Sequence, residues 1–202
     1  TTLFPYTTLF RSVPVLEVRG LKTQFFTDEG VVRAVDGVSF TVASGETLGI
    51  VGESGSGKSV TALSLMRLLE EPSRIVAGEI KFQGRDVLAM APQELQAFRG
   101  GDVAMVFQNP MTSLNPVLRL ARQLVETMVV HGGYDLGEAT QRSIKLLGRM
   151  GITAPERAIR SYPHQFSGGM RQRVVMAMGM SNEPALLRSE EHTSELQSRH
   201  NL

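Results

Sequence analysis

The stretch from Thr47 to Leu69 constrains the fold more than any other part of the chain. A short β-rich run, Thr47 to Val51, enters GESGSGKS, Gly52 to Ser59, and leaves with Val60, Leu63, Leu65, Met66, Leu68 and Leu69 at helical spacing, largely inward. A strand, a glycine loop and a helix in that order aim successive backbone N–H groups and the positive end of the helix at one point. That arrangement suits a polyphosphate. Gly52, Gly57, Lys58 and Ser59 fill the four fixed positions of the phosphate-loop pattern. On this reading Gly52, Glu53, Ser54, Gly55, Ser56, Gly57, Lys58, Ser59 and Val60 form the cradle. Lys58 reaches the β and γ phosphates, and the Ser59 hydroxyl ligates magnesium.

The rest of the chain supplies a framework for such a loop. Val15 to Phe26 and Val31 to Val42 partly alternate and read as strands, as do Gly78 to Phe82 and Val103 to Phe107. A short helix is expected over Pro92 to Phe98, and NPMTSLNP, Asn109 to Pro116, is a loop. Leu118, Ala121, Val125 and Met128, then Ile144, Leu147 and Met150, recur at helical spacing and predict a mostly helical lobe over 117–158. A last helix starts near Gly168 and carries Val174 to Met180, its methionines acting as core or interface filler. The expected class is α/β, with a phosphate-loop core, an antiparallel β part at the N-terminal side and a helical subdomain over about 111–160.

Charge and composition narrow the partners. Lysine and arginine number 21 against 20 acids, so a formal net charge of +1 supplies no field for nucleic acid or an anionic bilayer. With no cysteine, disulfides and thiolate metal sites are excluded. The histidines, His131, His164, His192 and His200, lack zinc-ligand spacing on a shared helix. No apolar run approaches the roughly 18 residues needed to span a bilayer, so any membrane role predicted from the sequence is peripheral.

A second motif, QFSGGMRQR, spans Gln165 to Arg173. Ser167 can cap a helix whose first turn, opened by Gly168 and Gly169, again presents unpaired N–H groups to an anion. Together with VGESGSGKSVTALSLMRLL, MVFQNPMTSLNP and YPHQFSGGMRQRV, this motif resembles the ATP-binding subunits of ABC transporters, specifically the importers of dipeptides, oligopeptides and nickel. The resemblance covers essentially all of Val13 to Leu187. It implies a RecA-like P-loop core that binds ATP and Mg2+. It also implies a head-to-tail pair of such subunits, in which Ser167, Gly168, Gly169 and Gln172 of one cover the nucleotide held by the other. Gln108 is implied to contact magnesium and the attacking water, and Lys58 to share in catalysis. Phe25 stands where the family places an aromatic ring against adenine, with Phe26 and a plain core phenylalanine as open alternatives. His164 reads as a structural residue before the signature loop. Implied partners are membrane-spanning permease subunits and, indirectly, a periplasmic or surface substrate-binding protein, with no nucleic acid. The implied place is the cytoplasmic face of the inner membrane.

The two ends differ from the interior. All 20 glycines lie between Val13 and Leu187. Residues 1–12 and 188–202 contain neither glycine nor valine and resemble translations of sequencing-adapter oligonucleotides, so both are expected to be foreign segments flanking a partial nucleotide-binding domain. In the family, a buried strand ending in Asp then Glu follows the signature helix. Glu190 and Glu191 fall in register with those acids, but Arg188 and Ser189 would interrupt a central apolar strand, where a buried guanidinium costs several kcal/mol. The domain is therefore expected to be truncated before this Walker B strand, without the catalytic Glu and the later switch histidine.

Overall fold

A computed structural model describes residues 13–106 and 113–189. The chain divides into two compact units, one ending at Ala91 and the other beginning at Pro92.

The first unit is built on a four-stranded antiparallel sheet in the order β2-β1-β3-β4, from β1 Leu16–Thr27, β2 Gly30–Val42, β3 Ser73–Phe82 and β4 Arg85–Asp86. Hydrophobic alternation, interrupted by bulges, sets which face turns inward: Leu16, Val18, Leu21, Val35, Ile80 and Phe82 are buried. The ladder between β1 and β2 pairs Thr23 with Val35 and Gln24 with Arg33, which leaves Ala34 as the extra residue of a bulge.

Helix α1 (Lys58–Leu65) packs on this sheet through hydroxyls rather than leucines. Its buried residues are Thr61, Ala62 and Ser64, and the Ser64 and Thr23 hydroxyls meet at 2.9 Å in a fully buried contact. Leu63, Leu65, Leu68 and Leu69, expected to point inward, are only half-buried. The helix stops earlier than the apolar spacing suggests because Arg67 takes a positive φ of 50° and donates to the carbonyls of Val87 and Met90.

Thr47–Val51 departs from expectation. It pairs with none of the described strands, and Leu48, Ile50 and Val51 are 41%, 50% and 76% exposed. A parallel strand needs neighbours to satisfy its backbone and bury its side chains. No described strand flanks this one, so its β propensity alone does not make a ladder.

The second unit carries α2 (Pro92–Ala97), a π-helical turn (Phe98–Asp102), β5 (Val103–Val106), α3 (Leu120–Gly132), α4 (Leu136–Arg149), α5 (Pro155–Ala158), α6 (Gly168–Gly179) and β6 (Leu186–Ser189). The buried stripe of α3 is Leu120, Leu124, Val125 and Met128; Val125 and Met128 are buried as expected, whereas Leu118 and Ala121 are half-buried. Leu120 and Leu124 share one cluster with Leu147, Ile152, Phe166, Val174 and Ala177, while Val125 and Met128 form a second with Ala139. Asp135 caps α4 by accepting from the Glu138 N–H at 2.8 Å, and Gly133, in the left-handed region, ends α3.

The tail after Leu187 corrects a second expectation. Arg188 and Ser189 do not break the strand: β6 runs parallel to β5 with Met105 opposite Arg188 and Val106 opposite Ser189. The ladder is backbone-made: Leu187 and Ser189 face out, and Arg188 is half-buried. A polar knot fixes the approach to β6. The Asn182 amide donates to Gly100 O at 2.8 Å and Thr127 O at 3.3 Å, and Arg142 pairs with Glu183 while lying 4.4 Å from the Tyr134 ring centre.

Candidate nucleotide-binding site

The loop Gly52–Ser59 is shaped by its own lysine. Lys58 Nζ donates to the Gly52 carbonyl at 2.5 Å and the Glu53 carbonyl at 2.7 Å, and lies 3.2 Å from Ser56 Oγ. An ammonium has three donors. Two clamp the loop into a ring, and the third, on a neutral hydroxyl, is the one most readily exchanged for an anionic oxygen. The Ser56 N–H donates to Glu53 O at 3.2 Å and closes the turn.

Glycine is demanded here by contact as well as by conformation. At Gly57, the N-cap of α1 with φ 86°, a Cβ would lie 2.2 Å from the Ala34 carbonyl oxygen. That carbonyl belongs to the bulge residue of β2, so the bulge and the loop are fitted to one another. A Cβ on Gly52 would meet Ser56 Oγ at 2.7 Å. The first turn of α1, whose N–H groups have no acceptor within the helix, adjoins the loop at Lys58. Thr61 anchors this turn through its N–H and its hydroxyl, both donating to Gly57 O at 2.8 and 2.9 Å. Glu53, Ser54, Gly55 and Ser59 are exposed and Val60 is half-buried.

These residues fit a triphosphate: a lysine lies across an exposed loop at the start of a helix, with one donor on a hydroxyl that a phosphate oxygen can replace. For magnesium, Ser59 places a hydroxyl on the first turn of α1. No group of three or more His, Asp and Glu side chains gathers among the described residues. Gln108, Glu190 and Glu191 lie outside the described residues.

Phe25 and Phe26 are separated by the pleat. Phe25 shares the sheet face of Thr23, the face on which Ser64 of α1 packs, and is half-buried. Phe26 faces the other way, 45% exposed, with the Arg74 guanidinium carbon 6.0 Å from its ring centre.

In the second unit, Ser167 caps α6 as expected, its Oγ accepting from the Met170 N–H at 3.3 Å. A Cβ on Gly168 or Gly169 would meet nothing within 4 Å. Packing inside the unit therefore does not require these glycines, and the backbone there lies open with Gln172 exposed beside it. His164, read as structural, is exposed and stacks on Tyr162 with ring centres 5.6 Å apart and planes at 13°. Arg119 lies 5.6 Å from the same tyrosine ring. The sequence reading missed Tyr162 and Arg119, distant in the chain, as it missed the bulge at Ala34 and the Thr23–Ser64 pair. Of these, only Tyr162 carried a signal, its place in the phrase YPHQF.

Residues 35–194 match the family model described as ABC transporter, a span that takes in Lys58, Ser167, Glu190 and Glu191. The probable peptide ABC transporter ATP-binding protein y4tR of Sinorhizobium fredii is 47% identical over 183 residues, 90% of this chain and 55% of its own length. The oligopeptide transport ATP-binding protein OppD is 44% identical in Bacillus subtilis, over 93% of this chain and 53% of its own. In Salmonella typhimurium OppD is 46% identical, over 90% and 54%. The chain thus spans about half the length of the curated relatives it matches. Among solved structures, the dimeric post-hydrolysis state of the ATP-binding cassette MJ0796 bound to ADP and Pi superposes with a TM-score of 0.76 at 24% identity, covering 89% of this chain and 75% of that one. That likeness shows the fold. CbiO1 from Clostridium perfringens, part of the ABC transporter complex cbiONQ, superposes at 0.72 with 25% identity over 90% and 66%. The chain belongs to the ABC transporter family.

Proposed function

We propose that this chain is the nucleotide-binding part of the ATP-binding subunit of a peptide importer, holding ATP with Mg2+ in the loop Gly52–Ser59. The observation that carries the reading is the Lys58 clamp over a loop in which Gly57 has no room for a Cβ against the Ala34 carbonyl. The names of the relatives, peptide and oligopeptide transport ATP-binding proteins, supply the substrate class.

In this reading Lys58 trades its Ser56 contact for the γ-phosphate, the amides of the first α1 turn hold the β-phosphate, and Ser59 ligates magnesium. The shared face of Phe25 and Thr23 favours Phe25 over Phe26 as the ring beside adenine. Gln108 orders magnesium and the attacking water. A second ATP-binding subunit closes over the nucleotide with Ser167, Gly168, Gly169 and Gln172, and permease subunits in the membrane receive the motion. The subunit's place is the cytoplasmic face of that membrane, held there through those partners. Among the described residues no helix is long and apolar enough to cross a membrane.

A second reading, a nucleotide-binding piece that does not hydrolyse ATP, is favoured by Arg188 and Ser189 within β6, directly before the two acids. One set of measurements tests both. Lys58→Ala is expected to weaken Mg·ATP binding to the 202-residue chain at least tenfold, from the loss of one to two charge-assisted hydrogen bonds; unchanged affinity overturns the site. ATP turnover by the unaltered chain that disappears in Glu191→Gln overturns the second reading.

A further inference from the structure

We propose that the start of α3 and the turn at α5 form an arginine patch that holds the chain against the anionic phospholipid headgroups of a membrane. The inference goes beyond the reading just given, from which it takes only the nearness of a membrane.

Two pairs of arginines meet there. Arg119 is the N-cap residue of α3 and Arg122 stands in its first turn, where the Arg122 N–H donates to Arg119 O at 3.2 Å. Arg157 and Arg160 are related in the same way, the Arg160 N–H donating to Arg157 O at 3.0 Å. The two segments are tied side by side, because the Leu120 N–H donates to Ser161 O at 3.0 Å and the Ala121 N–H to Ile159 O at 2.7 Å. All four arginines are exposed. Arg119 lies 5.6 Å from the Tyr162 ring centre, and among the described residues none of the four forms an ion pair.

The packing of the unit leaves this charge uncompensated. Residues 117–122 and 155–162 carry four arginines and one acid, Glu156, a local charge of +3. Like charges repel, and α3 has no acid in its first turn to offset two cations at its positive end. The net charge of +1, from which no field for a bilayer was expected, averages over the whole chain. Salt at about 0.1 M confines each charge to a range of about 10 Å, so a surface in contact with the patch meets the local excess.

The form of the patch selects the anion. The Leu120 and Ala121 amides are already spent on Ser161 O and Ile159 O, so the guanidiniums are what an anion can reach. They stand out from a helix start and a turn, with Val117, 75% exposed, two residues before Arg119. A bound peptide uses a groove or a sheet edge, whereas mobile headgroups adapt to protruding cations one at a time. Tyr162, half-buried beside Arg119, is an amphipathic ring of the kind that sits well at headgroup level.

The test is co-sedimentation of the 202-residue chain with phosphatidylcholine vesicles, with and without phosphatidylglycerol. Binding is expected to the anionic vesicles and to fall as salt is raised. Each basic residue near an anionic surface contributes about fivefold, so Arg122→Gln with Arg160→Gln should weaken binding about 25-fold. Lysine at both positions should retain it, since attraction to a charged surface does not depend on the guanidinium fork. Arg33→Gln with Arg74→Gln removes the same charge from exposed positions in the first unit and should cost less than about twofold. Mg·ATP affinity and thermal melting of each variant should match the unaltered chain, which sets a lost lipid contact apart from an unfolded protein and from a failed nucleotide site. Equal binding to the neutral and anionic vesicles, or equal losses in the two glutamine pairs, overturns the patch. Poly-glutamate that binds the unaltered chain and releases when lysine replaces Arg122 and Arg160 would assign the patch to an acidic polypeptide and overturn the lipid contact.

Discussion

Alanine at Gly57 and alanine at Gly55 should behave differently, and the difference measures how closely the phosphate loop is fitted to the sheet. Both glycines hold left-handed backbone, with φ of 86° and 83°. Each alanine therefore carries a conformational cost of about 1–2 kcal/mol, present with or without nucleotide. That cost lowers stability and cancels from a binding constant. Only Gly57 faces an obstacle. Its Cβ would sit 2.2 Å from Ala34 O, whereas nothing lies within 4 Å of a Cβ on Gly55. An ordinary contact begins at 3.4 Å, so the Gly57→Ala backbone must retreat by about 1 Å. The obstacle is a main-chain carbonyl, so no rotamer change relieves it. A shift of that size carries the neighbouring amides out of hydrogen-bonding range of a phosphate oxygen. Each such bond to a charged group contributes about 1.5–3 kcal/mol. Isothermal titration with Mg·ATP should show a loss of about ten- to a hundredfold in Gly57→Ala and less than about threefold in Gly55→Ala. Thermal melting should show both destabilised. Equal losses of affinity in the two variants would refute this fit, because they would place the effect in the shared φ and leave no role for the Ala34 bulge.

Two further outcomes follow from buried polar contacts. Ser64→Ala leaves the Thr23 hydroxyl buried without its partner and should destabilise by about 1–3 kcal/mol; adding Thr23→Val should recover a good part of that in a double-mutant cycle, and strict additivity would show that the pair does not interact. Asn182→Leu removes both donors that tie the approach of β6 to Gly100 O and Thr127 O. Hydrogen exchange of the β5 and β6 amides should then accelerate, whereas Ser189→Ala, at an exposed position, should leave it unchanged.

Chemistry that depends on consecutive residues is legible in the amino-acid sequence. The loop Gly52–Ser59 and the capped turn Ser167–Gly169 each depend on a few neighbours along the chain, and the antiparallel strands β1 and β2 follow from alternation over a dozen positions. Helix α6 begins one residue after its cap, at Gly168, where Ser-Gly-Gly placed it. Errors arose where a residue's neighbours are distant in sequence. Thr47–Val51 has the composition of a strand and no described partner, so its β propensity remains unspent. Arg188, read as interrupting a central strand, pairs through its backbone in a ladder of two strands among the described residues.

Residues 52–59 read as a polyanion cradle from the local sequence alone, because the groups proposed to bind it are main-chain amides ordered by adjacent glycines and one lysine. How that loop is seated came only from long-range packing within its own unit, a bulge at Ala34 set by strand register and a hydroxyl pair joining Thr23 to Ser64; in the second unit, packing likewise set His164 on Tyr162 beside Arg119. Backbone dihedrals are local, and a few residue types dictate them. Packing partners are chosen by whichever segments the whole chain brings together, and no short stretch of sequence contains that choice.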